Sequence, residues 1–300
     1  MSVLVIGGVN MDVGGKTDRR LVFGDSNPGQ VNTSLGGVGF NIARNLCRMG
    51  VKTSMMTVLG DDAAAEQACQ EASKIGLDMS LSSAVRGGRT GAYFYLLNED
   101  GDMMVAVNDM AIYEYLTPAL LARKMNEINN FDLVVLDANI PQASIEYLFT
   151  FCRVPVLADP VSTVKAEKLR GVMGKLYAIK PNRLEAETLT EETEPAEMAK
   201  KLLSQGVKKV FISLAEEGIF AADAIGSCHI PCPRTNLINA TGAGDAMTAA
   251  LAACVLRYES LEETAKYAVS AGAITCMADE TVSPQMSWRT MEKLREREGF

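Results

Sequence analysis

Short apolar runs rich in β-branched residues recur along this chain, and stretches of helical period separate them. Residues 3–9, 52–58, 133–136, 156–158 and 209–213 read as buried strands, while residues 38–49 and 62–75 carry apolar positions at helical spacing. That alternation has few solutions. It predicts an α/β fold in three layers, a mostly parallel sheet with helices on both faces. The last third reads as helix over 243–258, 261–277 and 285–297. With 300 residues the chain can bury a large core without disulfide or metal staples. No repeat, low-complexity tract or linker interrupts it, so residues 1–300 are expected to form one domain.

Two stretches break the alternation. Residues 13–35 carry Gly14-Gly15, Gly24-Asp25 and Asn27-Pro28-Gly29, which are turn signals between short polar strands. Residues 90–108 read as a hairpin around Asn98-Glu99-Asp100-Gly101. Either the two combine into a small β-sheet that projects as a lid, or they are ordinary surface loops. In Tyr93-Phe94-Tyr95-Leu96-Leu97 both strand faces are apolar or aromatic. Alternation puts Phe94 and Leu96 on one face and Tyr93, Tyr95 and Leu97 on the other. A lid uses one such face. The second, beside Met103, Met104 and Val105, either packs on residues 18–34 or meets a second copy; the expectation is a homodimer through the lid.

Several chemistries are excluded or disfavoured by counting. The chain has one histidine, His229, which removes multi-His metal sites. Seven cysteines at scattered positions form no disulfide framework and suit a reducing compartment. A net charge of −8 disfavours nucleic acid and anionic membrane as partners. The N-terminus lacks a basic, cleavable leader pattern, and no uncharged apolar run reaches the ~18 residues of a membrane span. The expected location is the cytoplasm.

Two glycine turns are chemically informative. Asn239-Ala240-Thr241-Gly242-Ala243-Gly244-Asp245 precedes an apolar helix. Unobstructed N–H groups at a helix start suit an anion such as phosphate. An acid placed there either caps the helix or accepts a proton from an attacking hydroxyl. Upstream, Gly36-Gly37-Val38-Gly39-Phe40-Asn41 also opens a helix, either for close packing or for ligand contact. Asn10 and Asp12 follow the first strand, alternate along an extended chain, and so share one face suited to vicinal hydroxyls.

These residues resemble the signatures of the PfkB-type (ribokinase-like) sugar and nucleoside kinases. Gly36-Gly37-x-x-x-Asn41-x-Ala43, Lys180-Pro181-Asn182-x-x-Glu185 and Thr241-Gly242-Ala243-Gly244-Asp245 occur in the family's order. The resemblance implies an ATP- and Mg²⁺-dependent kinase with Asp245 as general base and Gly242, Ala243 and Gly244 as anion hole. It implies that Asn182 and Glu185 organise Mg²⁺ through water, their i,i+3 spacing sharing a helical face. Ser213, Ala215 and Gly218 would contact the nucleotide along with Gly244, and Asn10, Asp12, Gly36, Gly37 and Asn41 the sugar. Asn239, where many relatives carry Asp, would line a K⁺ loop with Thr241 and Ser283. No Walker A motif is present, as in this family.

Val38 stands where kinases of phosphorylated sugars and ribokinases commonly have Lys. Residues 26–39, 137–141 and 239–242 are most similar to the pseudouridine kinase branch. Asn139, often an acid in ribokinase-like relatives, would both donate to and accept from a ligand. The implied activity is phosphorylation of the pseudouridine 5′-hydroxyl. Another unphosphorylated ribose-type sugar or nucleoside is the alternative, and a non-catalytic carbohydrate-binding sensor is the alternative of another class. Gly7-Gly8 is not the GxGxxG of a dinucleotide oxidoreductase.

Overall fold

Alternating burial along the first strand already defines the layers. In the computed structural model, which describes residues 1–299, β1 (Ser2–Ile6) sends Val3 and Val5 into one apolar cluster and Leu4 and Ile6 into another. β2 (Asn10–Thr17) and β3 (Gly29–Gly36) follow, then α1 (Val38–Arg48), β4 (Lys52–Met56), β5 (Val58–Leu59), α2 (Ala63–Ile75) and β6 (Ser83–Ala84). A hairpin of β7 (Gly91–Leu97) and β8 (Met103–Asp109) leads to α3 (Pro118–Ile128), β9 (Leu133–Asp137) and α4 (Gln142–Phe151). Next come β10 (Val156–Asp159), α5 (Thr163–Ala166), β11 (Ala178–Ile179), α6 (Arg183–Thr190), α7 (Pro195–Ser204) and β12 (Lys209–Ser213). The chain continues through β13 (Ile219–Asp223), β14 (Ser227–Ile230), α8 (Ala243–Leu256), α9 (Leu261–Cys276) and α10 (Trp288–Glu298).

The main sheet has eight strands in the order β14-β13-β12-β11-β10-β9-β1-β4. From β4 to β12 every pairing is parallel; β13 and β14 add an antiparallel edge. One face is covered by α1, α2, α8, α9 and α10, and the other by α3, α4, α6 and α7. α8 is buried along almost its whole length, Ala246 through Cys254, which suits a helix without a polar face. The expected three-layer core is present.

β3, β2, β7 and β8 form a separate four-stranded sheet from the two stretches that broke the alternation. β2 pairs antiparallel with β3 and parallel with β7, so the sheet is mixed. Boundaries differ from the sequence reading at one instructive place. The first strand stops at Ile6 rather than residue 9, and the second sheet starts at Asn10 rather than residue 13. Gly7-Gly8 carries the chain from one sheet to the other, and an apolar run does not reveal where a strand changes sheets.

Candidate active site

At one edge of the parallel block the strands run out into polar residues or glycine. Gly7-Gly8 follows β1, Asp137 closes β9, Asp159 closes β10, Lys180 follows β11 and Ser213 closes β12. Open parallel sheets hold ligands at this carboxyl edge. Buried charges there need partners. Asp137, fully buried, accepts the N–H groups of Gly8 and Gly39 at 2.9 Å each and that of Asn139 at 2.7 Å. Burial nonetheless holds its carboxyl above the ordinary range.

These bonds fix the start of α1. Gly37 has φ +102°, and a Cβ on it would lie 2.6 Å from the Gly8 carbonyl oxygen and 2.9 Å from Asn10 Oδ1. Only glycine fits. Phe40, which the turn's chemistry does not explain, is a core residue with no exposure. Asn10 and Asp12 open β2 and point to the same side: Asn10 Nδ2 donates to Asp12 Oδ1 at 2.5 Å, and Asn10 pairs with Gly36 across the sheet. Burial pushes the Asp12 carboxyl up to about 6 against the pull of that hydrogen bond.

Asn41 joins the upstream turn to the downstream one. Its Nδ2 donates to Asp245 Oδ2 at 2.9 Å, across 204 residues of sequence. Its Oδ1 is buried and has no partner among the described residues. Asp245 lies in the first turn of α8 behind Gly242, whose φ is +85° and whose Cβ would sit 2.1 Å from the Thr281 carbonyl oxygen. Ala243 and Gly244 complete that turn. Burial first, then the neighbouring Asp159 carboxylate, push Asp245 up to about 7, opposed by Asn41 and the Lys180 ammonium.

On the far side of α8's start, Lys180 Nζ is 3.4 Å from Asp159 Oδ2, which also accepts Thr248 Oγ1 at 2.7 Å. Burial alone would lower the Lys180 pKa; Asp159, Glu185 and Asp245 outweigh it and raise it. Asn182 and Glu185 meet, but not as neighbours on a helical face. Asn182 is the N-cap of α6, and the two side chains form a reciprocal capping box with three contacts of 2.9 Å. Pro181, which directly precedes the cap, explains the entry. Ser213 bridges to Asn182 and donates its N–H to the Pro181 oxygen at 2.9 Å. Ala215 (φ +52°) and Gly218 (φ +99°) close the following turn, and His229 Nε2 bonds Glu217 O at 2.8 Å. The only histidine is therefore a strut.

The 239–242 segment packs on 279–283. Asn239 Oδ1 accepts the Thr241 N–H and its Nδ2 donates to Asp279 O, both at 2.9 Å. Since Thr241 N–H can only donate, the amide is locked with its nitrogen toward that carbonyl. Ser283 is buried nearby in sequence, with Oγ accepting the Gln285 N–H. Asn139 stands on the rim beyond Asp137, with Lys165 Nζ bonded to its Oδ1. Among the described residues no group of three or more His, Cys, Asp or Glu is placed to hold a metal directly.

Asp137, Asp159, Lys180, Thr248 and Lys165 carry the site's frame, and the motifs assign them no role. One signal was available for two of them: a single acid closing an otherwise apolar strand, Leu-Val-Val-Leu-Asp137 and Val-Leu-Ala-Asp159.

Comparison with known proteins bears on what such an edge does. The profile of the pfkB family carbohydrate kinases matches residues 1–288. The chain is 33% identical over 292 residues to the pseudouridine kinase of Escherichia coli (strain K12), covering 95% of this chain and 93% of that one. A solved carbohydrate kinase from Agrobacterium tumefaciens superposes with a TM-score of 0.87 at 27% identity, over 98% of this chain and 96% of that one. Arabidopsis thaliana ribokinase, solved with ribose and ATP, gives 0.83 at 22% identity over 97% of each chain, a likeness of fold.

Proposed function

From a chain that belongs to the pfkB family of carbohydrate kinases, we propose an enzyme that transfers the γ-phosphoryl group of ATP to the 5′-hydroxyl of pseudouridine. The observation that carries the reading is the Asn41–Asp245 pair. A carboxylate titrating near neutrality stands in the first turn of a glycine-opened helix, beside a buried acceptor with no partner.

Asn10 and Asp12 hold the ribose hydroxyls with the backbone of Gly36 and Gly37. Asn41 Oδ1 gains its missing partner from the substrate. Asp245 takes the 5′-hydroxyl proton as the oxygen forms its bond to phosphorus; the bond from phosphorus to the bridging oxygen breaks, and its electron pair leaves with ADP. The N–H groups of Gly242 and Gly244 face the charge that develops on the transferred group, while the Ala243 N–H is held by the Ala240 carbonyl at 3.3 Å.

Mg²⁺ would neutralise the nucleotide phosphates when bound. The residues fit a hydrated ion: both Glu185 oxygens already accept from Asn182, leaving lone pairs for metal-bound water. Ser213, Ala215 and Gly218 line the nucleotide side. K⁺ at the 239–283 seam would rest on carbonyl oxygens and Ser283, because the Asn239 side chain is spent within the chain.

Pseudouridine is favoured over other acceptors by the likeness to the bacterial pseudouridine kinase and by the Asn139–Lys165 pair, which offers donors to base carbonyls. Val38 offers no cation for a sugar phosphate. The same reading places the enzyme in the cytoplasm and pairs two copies through the outer face of the small sheet.

Initial rates with ATP, Mg²⁺ and a panel of pseudouridine, uridine, inosine and ribose test it. The expected result is a kcat/KM for pseudouridine at least about tenfold above the others. A preference for ribose or a purine nucleoside would overturn the substrate. Tight sugar binding with no turnover would replace the kinase by a sensor.

A further inference from the structure

Lys180 is a buried cation at this edge to which the motifs assign no task. Its side chain is 5% exposed. A Cβ built on Gly244 would come within 3.4 Å of its Nζ, so the ammonium rests against the first turn of α8. Asp159 and Thr248 hold it there: Nζ lies 3.4 Å from Asp159 Oδ2, and Thr248 Oγ1, one turn further along α8, donates to that same oxygen. Charge-assisted N–H···O contacts usually close to about 2.7–2.9 Å. This pair stands wider, and an ammonium has three donors. Lys180 is thus anchored by one anion without being drawn fully onto it, and the surface beside it is the phosphoryl-facing turn.

We propose that Lys180 is a catalytic residue whose ammonium contacts the phosphoryl group in transit, beside the glycine turn of Gly242 and Gly244. The inference rests on the kinase reading above. Lys180 exchanges no proton; it offsets the charge on the phosphoryl oxygens while the bond to the 5′-oxygen forms and the bond to ADP breaks. Asp159 is then its positioning residue. The competing role is purely structural, in which Lys180 only neutralises Asp159.

Two variants separate these roles, assayed with pseudouridine or whichever acceptor of the panel turns over fastest. Lys180→Met alone leaves a buried carboxylate without its cation, which costs stability; Asp159→Asn with Lys180→Met removes both charges together. The readouts are turnover and the affinity of the ADP–Mg²⁺–aluminium fluoride complex, which mimics the group in transit. Expected is a double variant that unfolds at wild-type denaturant concentrations and binds ADP within about twofold of wild type. It should lose about 10²–10³-fold in turnover and in affinity for the fluoride complex. Recovery of both to within tenfold of wild type would make Lys180 a mere counter-ion and overturn the proposal. A wild type that phosphorylates no acceptor would overturn the kinase reading as well, which an active wild type does not.

Discussion

In the proposed reaction Asp245 carries the heaviest chemical demand. With its carboxyl pushed up to about 7, kcat/KM should rise with pH through that value as the base loses its proton. A flat profile between pH 5.5 and 8.5 would contradict the assignment. Asp245→Asn should keep nucleotide binding and lower turnover by about two to four orders of magnitude; near-normal turnover in the folded variant would remove the role. The same residue weakens the fold. The folded chain holds this proton up to about pH 7, whereas the unfolded chain releases it near 3.8. Stability from the neutral form is therefore fully present below the unfolded value and is lost as pH climbs through the folded one. The shift corresponds to at most ~4 kcal/mol. Asp245→Asn should resist urea better than wild type at pH 8, and the gain should vanish near pH 4. Asp245 was legible because its neighbours Gly242 and Gly244 are adjacent in sequence. That Lys180, Asp159 and Thr248 form one unit was not legible, because they meet only when β10, β11 and α8 are brought side by side.

At the scale of elements, helix starts do most of the positioning. α1 begins at Gly37, α6 at Asn182 and α8 at Gly242, and each presents a candidate side chain to the same edge. The capping box of α6 makes a clean test of Glu185, since glutamine at that position keeps an acceptor for the Asn182 N–H and gives up only the bond from Asn182 Nδ2. Glu185→Gln should change folding stability by less than about 1 kcal/mol. It should raise the Mg²⁺ concentration for half-maximal rate severalfold, because the charge that holds the hydrated ion is gone. An unchanged Mg²⁺ titration would leave Glu185 a cap and nothing more. The spacing of Asn182 and Glu185 was readable, but not that Asn182 stands outside the helix. Helical periodicity finds the interior of a helix; the preference of asparagine for the cap, next to Pro181, was the better guide.

Across the whole molecule, the small sheet has two unlike faces, and the register assigns them. Asp12, Tyr93 and Ser34 lie abreast on the face that carries the sugar-contact candidates, while Phe94, Val107 and Val13 lie abreast on the other. Leu96, Val105 and Val31 continue that outer face, and Val31 and Val107 are 72% and 61% exposed. Strand alternation made the two faces of β7 legible in the sequence; which face turns outward needed the pairing with β2. Phe94→Glu should convert a dimer to monomers by sedimentation equilibrium, while Tyr95→Ala should act mainly on KM for the acceptor. A wild type that sediments as a monomer at micromolar concentration with full activity would leave this face without its partner. In the proposed reaction the main sheet's carboxyl edge, the small four-stranded sheet and the starts of α1, α6 and α8 serve one outcome, transfer of phosphate to a single hydroxyl. ³¹P NMR of wild type and Asp245→Asn, each incubated with pseudouridine, ATP and Mg²⁺, reads it most directly. The account predicts a new 5′-phosphomonoester resonance growing in step with ADP in the wild type and essentially none over the same time in the variant. ADP and free phosphate without a phosphomonoester, or equal product from both proteins, would contradict it.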